Sequence, residues 1–358
     1  MYTDLTDLCV GPEWSIHQAL AQMDVSRKGI VLVVDSDQRL LGTVTDGDMR
    51  RAVLTGLDLE QPITRVLAQK DGSNFARPIT AQAGTNPGTL LDVLRAHSIR
   101  HLPLVDHNQR VVALATLDDF VPEQEPLLQA VIMAGGLGLR LRPLTEDLPK
   151  PMLSVGGRPL LETIVDQLRS IGVRHISITV NHKLEKITEH FGDGRNFGVD
   201  ITYTTEDRPL GTAGALGLIK EPLDTTLVIN GDILTQVNFR AMLDFHREHR
   251  ADLTVAVNRH QSRVPYGVVE CDGAAVRGLS EKPLMTFFIN AGIYLLEPET
   301  YGFIPNGEPY DMTDLILRLL KENRPVVAFP IREYWIDVGR PADYLRAQSD
   351  FPGGSAAQ

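Results

Sequence analysis

Ala134-Gly135-Gly136-Leu137-Gly138-Leu139-Arg140-Leu141-Arg142-Pro143-Leu144-Thr145, followed by Pro149-Lys150-Pro151-Met152, is the stretch that decides how the larger part of this chain folds. It comes directly after an apolar run, Ala130 to Ala134, that reads as a buried strand. Glycines at 135, 136 and 138 let the backbone approach a phosphate closely and turn its N–H groups toward it, and Arg140 and Lys150 bring mobile positive charge. The stretch therefore reads as a polyphosphate cradle. Its glycine spacing is not that of a dinucleotide-binding turn, no helix start follows directly, and the Gly-Lys-Ser/Thr of a P-loop is absent. A glycine-rich strand end alone is often only a tight turn; the paired Arg and Lys weigh against that reading.

Downstream, the pattern alternates. A helix is expected from Pro159 to Ile171, a strand from Ile176 to Val180, a helix from Leu184 to Phe191, and strands at Ile201 to Thr204 and Thr226 to Ile229. Strands alternating with helices of this length indicate a mainly parallel α/β sheet covered on both faces, with ligands at the carboxyl ends of its strands.

Upstream lies a degenerate repeat. Val34 to Asp48 aligns without a gap with Val105 to Asp119, 71 residues later, and the Asp, Gln-Arg, Thr and final Asp positions all recur. Each copy reads as a helix, an apolar strand (Ile30 to Val34; Leu102 to Val105), a polar turn, a second strand and an acidic cap opening a short helix. Units this small cannot bury a sheet alone, so the two copies should pack into one domain. The polar break Pro122 to Pro126 separates them from the rest. The expected organisation is a paired repeat over residues 1-125, a catalytic domain over 126-350 and a disordered tail over 351-358.

At 358 residues with 43% hydrophobic content, the chain can fill two cores. The net charge of −11 is spread over both parts, with 11 basic against 17 acidic residues up to Glu125 and 24 against 29 beyond. This argues against nucleic acid or an anionic membrane as partner. No apolar run is long enough to span a bilayer and the N-terminus has no signal-like core, so a cytoplasmic location is expected. Cys9 and Cys271 form neither a disulfide framework nor a zinc cluster.

The cradle resembles the signature of the sugar-1-phosphate nucleotidylyltransferase family, Gly-Gly-x-Gly-Thr-Arg-Leu-x-Pro-Leu-Thr followed by Pro-Lys-Pro. Leu139 stands where the family usually has Thr. The resemblance extends over roughly residues 130 to 348 through Pro209-Leu210-Gly211-Thr212-Ala213-Gly214, Asn230-Gly231-Asp232, Tyr266-Gly267, Glu281-Lys282-Pro283, Asn290-Ala291-Gly292 and Trp335-Ile336-Asp337-Val338-Gly339. It implies a Rossmann-like catalytic domain that joins a nucleoside triphosphate to a sugar 1-phosphate with release of pyrophosphate, supplying an activated sugar for surface-glycan or polysaccharide synthesis. Two anions must meet in such a reaction, so charge neutralisation and alignment carry the catalysis. Arg140, Lys150, Asp232 and Asp337 are the implied catalytic residues. The last two emerge from strand ends as hard oxygen donors for Mg2+. Gly135, Gly136, Gly138, Gly211 and Thr212 would hold the nucleotide, and Asn181-His182 would line its edge. Tyr266, Gly267, Glu281, Lys282 and Asn290 would hold the sugar phosphate.

The base is read through Glu206, whose carboxylate can accept both N1–H and the 2-amino group of guanine. The Pro-Leu-Gly-Thr-Ala-Gly run also resembles mannose-1-phosphate guanylyltransferases, so GTP is favoured over UTP or dTTP. The N-terminal repeat resembles a tandem CBS pair, which implies an adenine nucleotide at Thr45, Asp48, Thr116 and Asp119. Gly42, with Arg50 and Arg51 close by, makes the first copy the expected better site, because Ala113 replaces the glycine in the second. Such pairs serve ligand sensing or assembly, and both roles stay open. A homo-oligomer is expected.

Overall fold

The computed structural model describes residues 1–71, 76–120, 128–181, 183–219, 222 and 224–351. The expected break at Pro122 to Pro126, His182 and the tail from Pro352 lie outside the described residues. The chain divides into two compact units, Met1–Gln124 and Glu125–Gln358. No helix among the described residues is long and apolar enough to cross a membrane.

The first unit builds the repeat twice. One copy runs β1 (Cys9–Val10), α1 (Ile16–Ser26), β2 (Ile30–Val34), β3 (Leu40–Thr45), α2 (Asp46–Leu54) and α3 (Thr64–Ala68). The other runs β4 (Ala81–Gln82), α4 (Pro87–Ala96), β5 (His101–Val105) and β6 (Val111–Thr116). The two hairpin turns are the same object. Asp35 Oδ1 accepts the N–H groups of Asp37 and Arg39, Asp106 Oδ1 those of Asn108 and Arg110, and Gln38 and Gln109 both sit at φ 64°. This Asx-type turn is why Asp and Gln-Arg recur in the sequence. Ile30, Leu32 and Val34 share one core with Val105, Val111 and Leu114, so the two sheets complete each other. The copies differ after the second strand: α2 follows β3, whereas only a single 3-10 turn, Leu117–Asp119, is seen after β6 among the described residues.

In the second unit, β7 (Gln129–Met133) enters the sheet first. It is followed by the hairpin β8 (Ser154–Val155) and β9 (Arg158–Pro159), then α5 (Leu160–Ser170), β10 (His175–Val180), α6 (Leu184–Phe191), β11 (Asp200–Thr205), α7 (Gly211–Gly214) and β12 (Thr226–Asn230). The chain continues through β13 (Ile233–Thr235), α8 (Phe239–Glu248), β14 (Leu253–Arg263), β15 (Val268–Asp272), β16 (Ala275–Ser280) and β17 (Leu284–Leu296). It ends with α9 (Met312–Lys321), β18 (Val326–Ile331), β19 (Trp335–Asp337) and α10 (Pro341–Asp350). The seven-stranded sheet has the order β11-β10-β7-β12-β17-β14-β18, and β17 is its one antiparallel member.

Alternation along each strand fills two cores. Ala130, Ile132, Leu227 and Ile229 face α5, α6 and α8, and Val131 and Val228 face α7 and α9. With β7 between β10 and β12, the carboxyl ends of three parallel strands open onto one edge.

Candidate active site

The loop after β7 is fixed by a few contacts that account for its glycines. Ala134 N–H donates to the Thr179 carbonyl on β10 at 2.9 Å. A Cβ on Gly135 would stand 2.7 Å from Glu206 Oε1. Gly138 lies at φ 63°, its carbonyl accepts the Thr145 hydroxyl at 2.8 Å, and a Cβ there would meet Thr145 Cγ2 at 3.0 Å. Gly136 faces open space, so its backbone is bare to a ligand. Lys183 ties the loop's far side down, donating to the carbonyls of Thr145 at 2.9 Å and Glu146 at 2.5 Å. Nothing in the local pattern singled out Lys183, because its role depends on a partner 37 residues away.

The two carboxylates come together as expected, although on a ribbon of their own. Gly231 N–H donates to the Met133 carbonyl at 2.8 Å, which brings the end of β12 against β7, and a Cβ at this glycine would press on Pro151. The chain then enters β13, which pairs antiparallel with β19, and Val338 N–H donates to the Asp232 carbonyl at 3.0 Å. Lys150 is buried beneath, ion-paired with Asp232 and with Nζ 3.6 Å from Asp337 Oδ1. Burial and the neighbouring Asp232 charge push the Asp337 carboxyl above the ordinary range, outweighing the pull of Lys150 and Arg140. Arg140 itself is exposed. Beside this group, Asn230 Oδ1 is buried without a partner among the described residues.

The Glu206 carboxylate is buried at the end of β11. Oε2 accepts the Leu210 N–H at 2.8 Å and closes the loop, and Oε1 is turned to Gly135. Asn181 Nδ2 donates to the Glu206 carbonyl at 3.2 Å. Gly211, at φ 76°, leaves no room for a side chain: a Cβ would stand 2.5 Å from Asp311 Oδ1. Thr212 gives its N–H to Asp311 at 3.0 Å, and its hydroxyl accepts the Met312 N–H at 2.9 Å. The Thr212 side chain therefore fastens this turn to the start of α9, leaving backbone N–H groups as what the turn can offer a nucleotide. Asp311 was not anticipated, because in sequence it is indistinguishable from an ordinary helix cap.

The expected sugar-side residues fall into two places. Asn290 lies on β17, its Oδ1 accepting the Gly292 N–H at 3.0 Å, and Trp335 Nε1 donates to the Ala291 carbonyl at 2.9 Å, linking this bend to β19. Tyr266, Gly267, Glu281 and Lys282 flank the β15–β16 hairpin and are exposed. There Glu281 leans over Gly267, where a Cβ would lie 3.0 Å from Oε2, and Lys282 adopts φ 46°. No hydrogen bond or ion pair among the described residues ties these four to Lys150, Asp232 or Asp337.

A family model described as nucleotidyl transferase matches residues 129–352. The chain belongs to the nucleotidyl transferase family. A CBS domain model matches residues 3–55 and 75–125. The mannose-1-phosphate guanylyltransferase of Mycobacterium tuberculosis is 34% identical over 237 residues, covering 64% of this chain and 66% of its own length. The UTP–glucose-1-phosphate uridylyltransferase of Synechocystis is 34% identical over 241 residues, covering 62% of each. The mannose-1-phosphate guanyltransferase of Saccharomyces cerevisiae is 33% identical over 228 residues, 61% of this chain and 63% of its own length. The chain thus spans a little under two thirds of these relatives.

A crystal structure from Bacillus anthracis, provisionally named a glucose-1-phosphate thymidylyltransferase, superposes with TM-score 0.52 at 24% identity, covering 64% of this chain and 98% of that one. HddC from Yersinia pseudotuberculosis gives 0.50 at 28% identity, covering 62% and 99%. The nucleotidyl transferase unit therefore has the mainly parallel sheet that its sequence pattern indicates.

In the CBS pair, the expected ligand residues meet a different arrangement in each copy. Thr45 and Asp48 form a capping box at α2, with Thr45 N–H and Oγ1 donating to Asp48 Oδ2 at 2.8 and 2.9 Å. Lys70 Nζ donates to the same oxygen at 2.9 Å and to the Thr43 carbonyl at 3.0 Å, and Arg51 donates to Asp48 Oδ1 at 2.7 Å. Burial acts to raise the Asp48 pKa, yet the Lys70 charge and these hydrogen bonds hold it below the ordinary carboxylate range.

Arg50, expected to meet phosphates, is fully buried and paired with Asp46 at 2.6 Å. Gly42, expected to open the cleft, makes room for Leu67, whose Cδ2 would lie 2.7 Å from a Cβ there. Both side chains thus make contacts inside the first copy itself. In the second copy, Thr116 N–H and Oγ1 donate to Asp119 Oδ2 at 2.7 and 3.0 Å, and the Met1 amino group pairs with Oδ1.

Proposed function

We propose that the chain transfers a nucleotidyl group from a nucleoside triphosphate, preferably GTP, to a sugar 1-phosphate, releasing pyrophosphate and furnishing an activated sugar for glycan synthesis. The observation that carries this reading is the convergence of Lys150, Asp232 and Asp337 at the carboxyl end of β7 and β12, in the same unit as the open backbone of Gly136 after β7. The names of the guanylyltransferase relatives and the turn of Glu206 Oε1 toward the loop support the guanine preference.

In the reaction, a phosphate oxygen of the sugar attacks the α-phosphorus and pyrophosphate leaves. Backbone N–H groups of the loop and the Arg140 guanidinium neutralise the triphosphate and hold it for an in-line approach. Lys282 holds the phosphate of the sugar, while Glu281 and Asn290 accept its hydroxyls.

Two close carboxylates with one displaced above its usual range form a donor set that gains from a divalent cation. Two protein ligands also suit Mg2+, which keeps several waters and takes substrate phosphate oxygens. Asp232 and Asp337 would hold it, and when bound it supplies charge stabilisation to the phosphates. Lys150, set between Asp232 and Asp337, would turn its ammonium to a phosphate oxygen of the substrate. The CBS pair takes an adenine nucleotide and thereby alters the rate, and the enzyme acts as a homo-oligomer.

The test is a panel of nucleoside triphosphates crossed with mannose, glucosamine, glucose and heptose 1-phosphates, scored by pyrophosphate release with Mg2+. Highest turnover with GTP is expected. Pyrophosphate from UTP or dTTP alone overturns the base assignment. Nucleotide binding without release from any pair overturns the enzyme reading in favour of a sensor.

A further inference from the structure

We propose that the first CBS repeat carries its own occupant: the segment holding Leu67 and Lys70 closes the cleft in which a nucleotide would lie, so an adenine nucleotide engages this unit only at Thr116 and Asp119. The proposal rests on the reading of the repeats as nucleotide-binding and changes what that reading says of the two clefts.

The argument starts from the acceptor capacity of Asp48. A ribose diol is held by a carboxylate with free lone pairs facing the cleft. Oδ2 of Asp48 is fully taken by Thr45 N–H, Thr45 Oγ1 and Lys70 Nζ, and Oδ1 already accepts Arg51, so a diol could not be held by both oxygens without displacing one of these donors. Only 5% of Asp48 and 12% of the Lys70 side chain are exposed, so a ribose could replace the ammonium only by leaving that charge without its partner in a place water barely reaches.

Lys70 is anchored a second time by the Thr43 carbonyl at 3.0 Å, on the strand that floors the cleft. Three residues before it, Leu67 lies over Gly42, with Cδ2 2.7 Å from where a Cβ would stand, and it packs against the core of the first copy. The segment thus supplies both halves of what a nucleoside supplies: a polar group on the Asp and an apolar body over the glycine. The glycine that looked like an invitation to a ligand is the seat of a leucine.

Among the described residues, the second copy shows no lysine on its aspartate like Lys70 on Asp48. Thr116 and Asp119 make the same Thr-to-carboxylate contacts, but the cation on Asp119 is the Met1 amino group, from a residue whose side chain is 46% exposed, against an Asp119 side chain 16% exposed. A contact that open to water is weakly held, and a nucleotide can displace it.

Calorimetric titration of AMP, ADP and ATP into the full chain tests this with four proteins: wild type, Asp119→Ala, a plug variant carrying Leu67→Ala and Lys70→Gln, and the plug variant with Asp48→Ala added. Wild type should bind about one equivalent of AMP, which lacks the triphosphate the transferase unit takes, with affinity lowered at least tenfold in Asp119→Ala. The plug variant should gain a second site that Asp48→Ala removes. A wild type with two AMP sites, or a correctly folded plug variant that gains none while the Asp119 site persists, overturns the plug and leaves the nucleotide reading intact. No binding in any folded variant overturns both.

Amine labelling of Lys70 followed by mass spectrometry gives a readout independent of any substitution. Its rate should be slow and unchanged by ATP, and acceleration by nucleotide would show that the cleft opens to ligand.

Discussion

At the scale of single residues, the centre of the nucleotidyl transferase unit is a question of where one ammonium goes. Lys150 is paired with Asp232 and close to Asp337, so the three groups hold each other. The two carboxylates should then separate by their stability effects. Asp232→Asn and Asp337→Asn should each lower pyrophosphate release at least a hundredfold, about 3 kcal/mol in the barrier. Only Asp232→Asn should also lower the melting temperature, by the equivalent of about 1 to 3 kcal/mol, because it strips the buried Lys150 of its near partner. Asp337 is half-exposed, so its loss should cost little stability. Near-normal turnover in either purified variant would remove it from the metal site. Glu206 allows a similar separation. Gln can still accept the Leu210 N–H through its carbonyl oxygen, so Glu206→Gln should melt like wild type while its kcat/KM with GTP drops roughly tenfold, the worth of one charge-assisted hydrogen bond. An equal loss with GTP and UTP would assign Glu206 to the loop alone.

At the scale of elements, what could be read from sequence is what local pattern determines. The strands β7, β10, β11 and β12 and the helices α5 and α6 were expected within a residue or so of where they lie, because each is an apolar run or a periodic face bounded by turn residues. The ribbon of β13 and β19 and the reversed direction of β17 were not. Strand direction and pairing depend on partners far along the chain: Leu227 opposite Leu295 and Leu234 opposite Ile336 have no local signature. The short turn α7 is legible in composition but not in purpose, since its partners Tyr310 and Asp311 lie about a hundred residues on. Gly211→Ala should therefore raise the KM for nucleotide several-fold and cost about 1 to 3 kcal/mol, because both the φ of 76° and the Asp311 contact exclude a Cβ. A variant with wild-type KM and melting temperature would show that the turn can shift freely. In the CBS pair, β5 begins with His101, whose Nε2–H donates to the Lys28 carbonyl at 2.8 Å and whose pKa burial lowers to about 4. The folded value lies below the unfolded one of about 6.5, so the neutral imidazole stabilises fully above pH 6.5, and that contribution is lost as pH falls toward 4. The loss is at most about 3 kcal/mol, at 1.36 per pH unit. Denaturant unfolding at pH 7 and pH 5 should show the decline in wild type, and His101→Gln should flatten it; an equal decline in both would assign it to other groups.

At the scale of the whole molecule, the division into a repeat unit and a sheet unit was legible from the 71-residue offset and the change in periodicity, whereas surfaces were not, because a sequence does not say which apolar face is left uncovered. The β15–β16 hairpin is such a face. Val269 pairs with Leu279 and Cys271 with Val276, all four on one side of the ribbon and all exposed. On the adjoining strand Leu284 and Phe287 are each 50% exposed and Phe288 41%. A two-stranded ribbon is marginal in water by itself, so its exposed apolar side chains gain from being covered. Asp272 on the hairpin is paired with Arg277, and Glu270 is opposite in sign to Arg259 and Arg263 on the outer part of β14, so a twofold pairing of two copies would set these charges against each other beside the apolar side chains. The expected occupant is therefore a second copy of this chain. Light scattering should give a dimer for wild type and a monomer for Val276→Glu, with circular dichroism unchanged, since Val276 supports no core. Alkylation of Cys271 should slow as protein concentration rises through the dissociation constant. Protection that is independent of concentration would mean that the chain covers this face itself, and a monomer at every concentration with Cys271 always reactive would mean that nothing does.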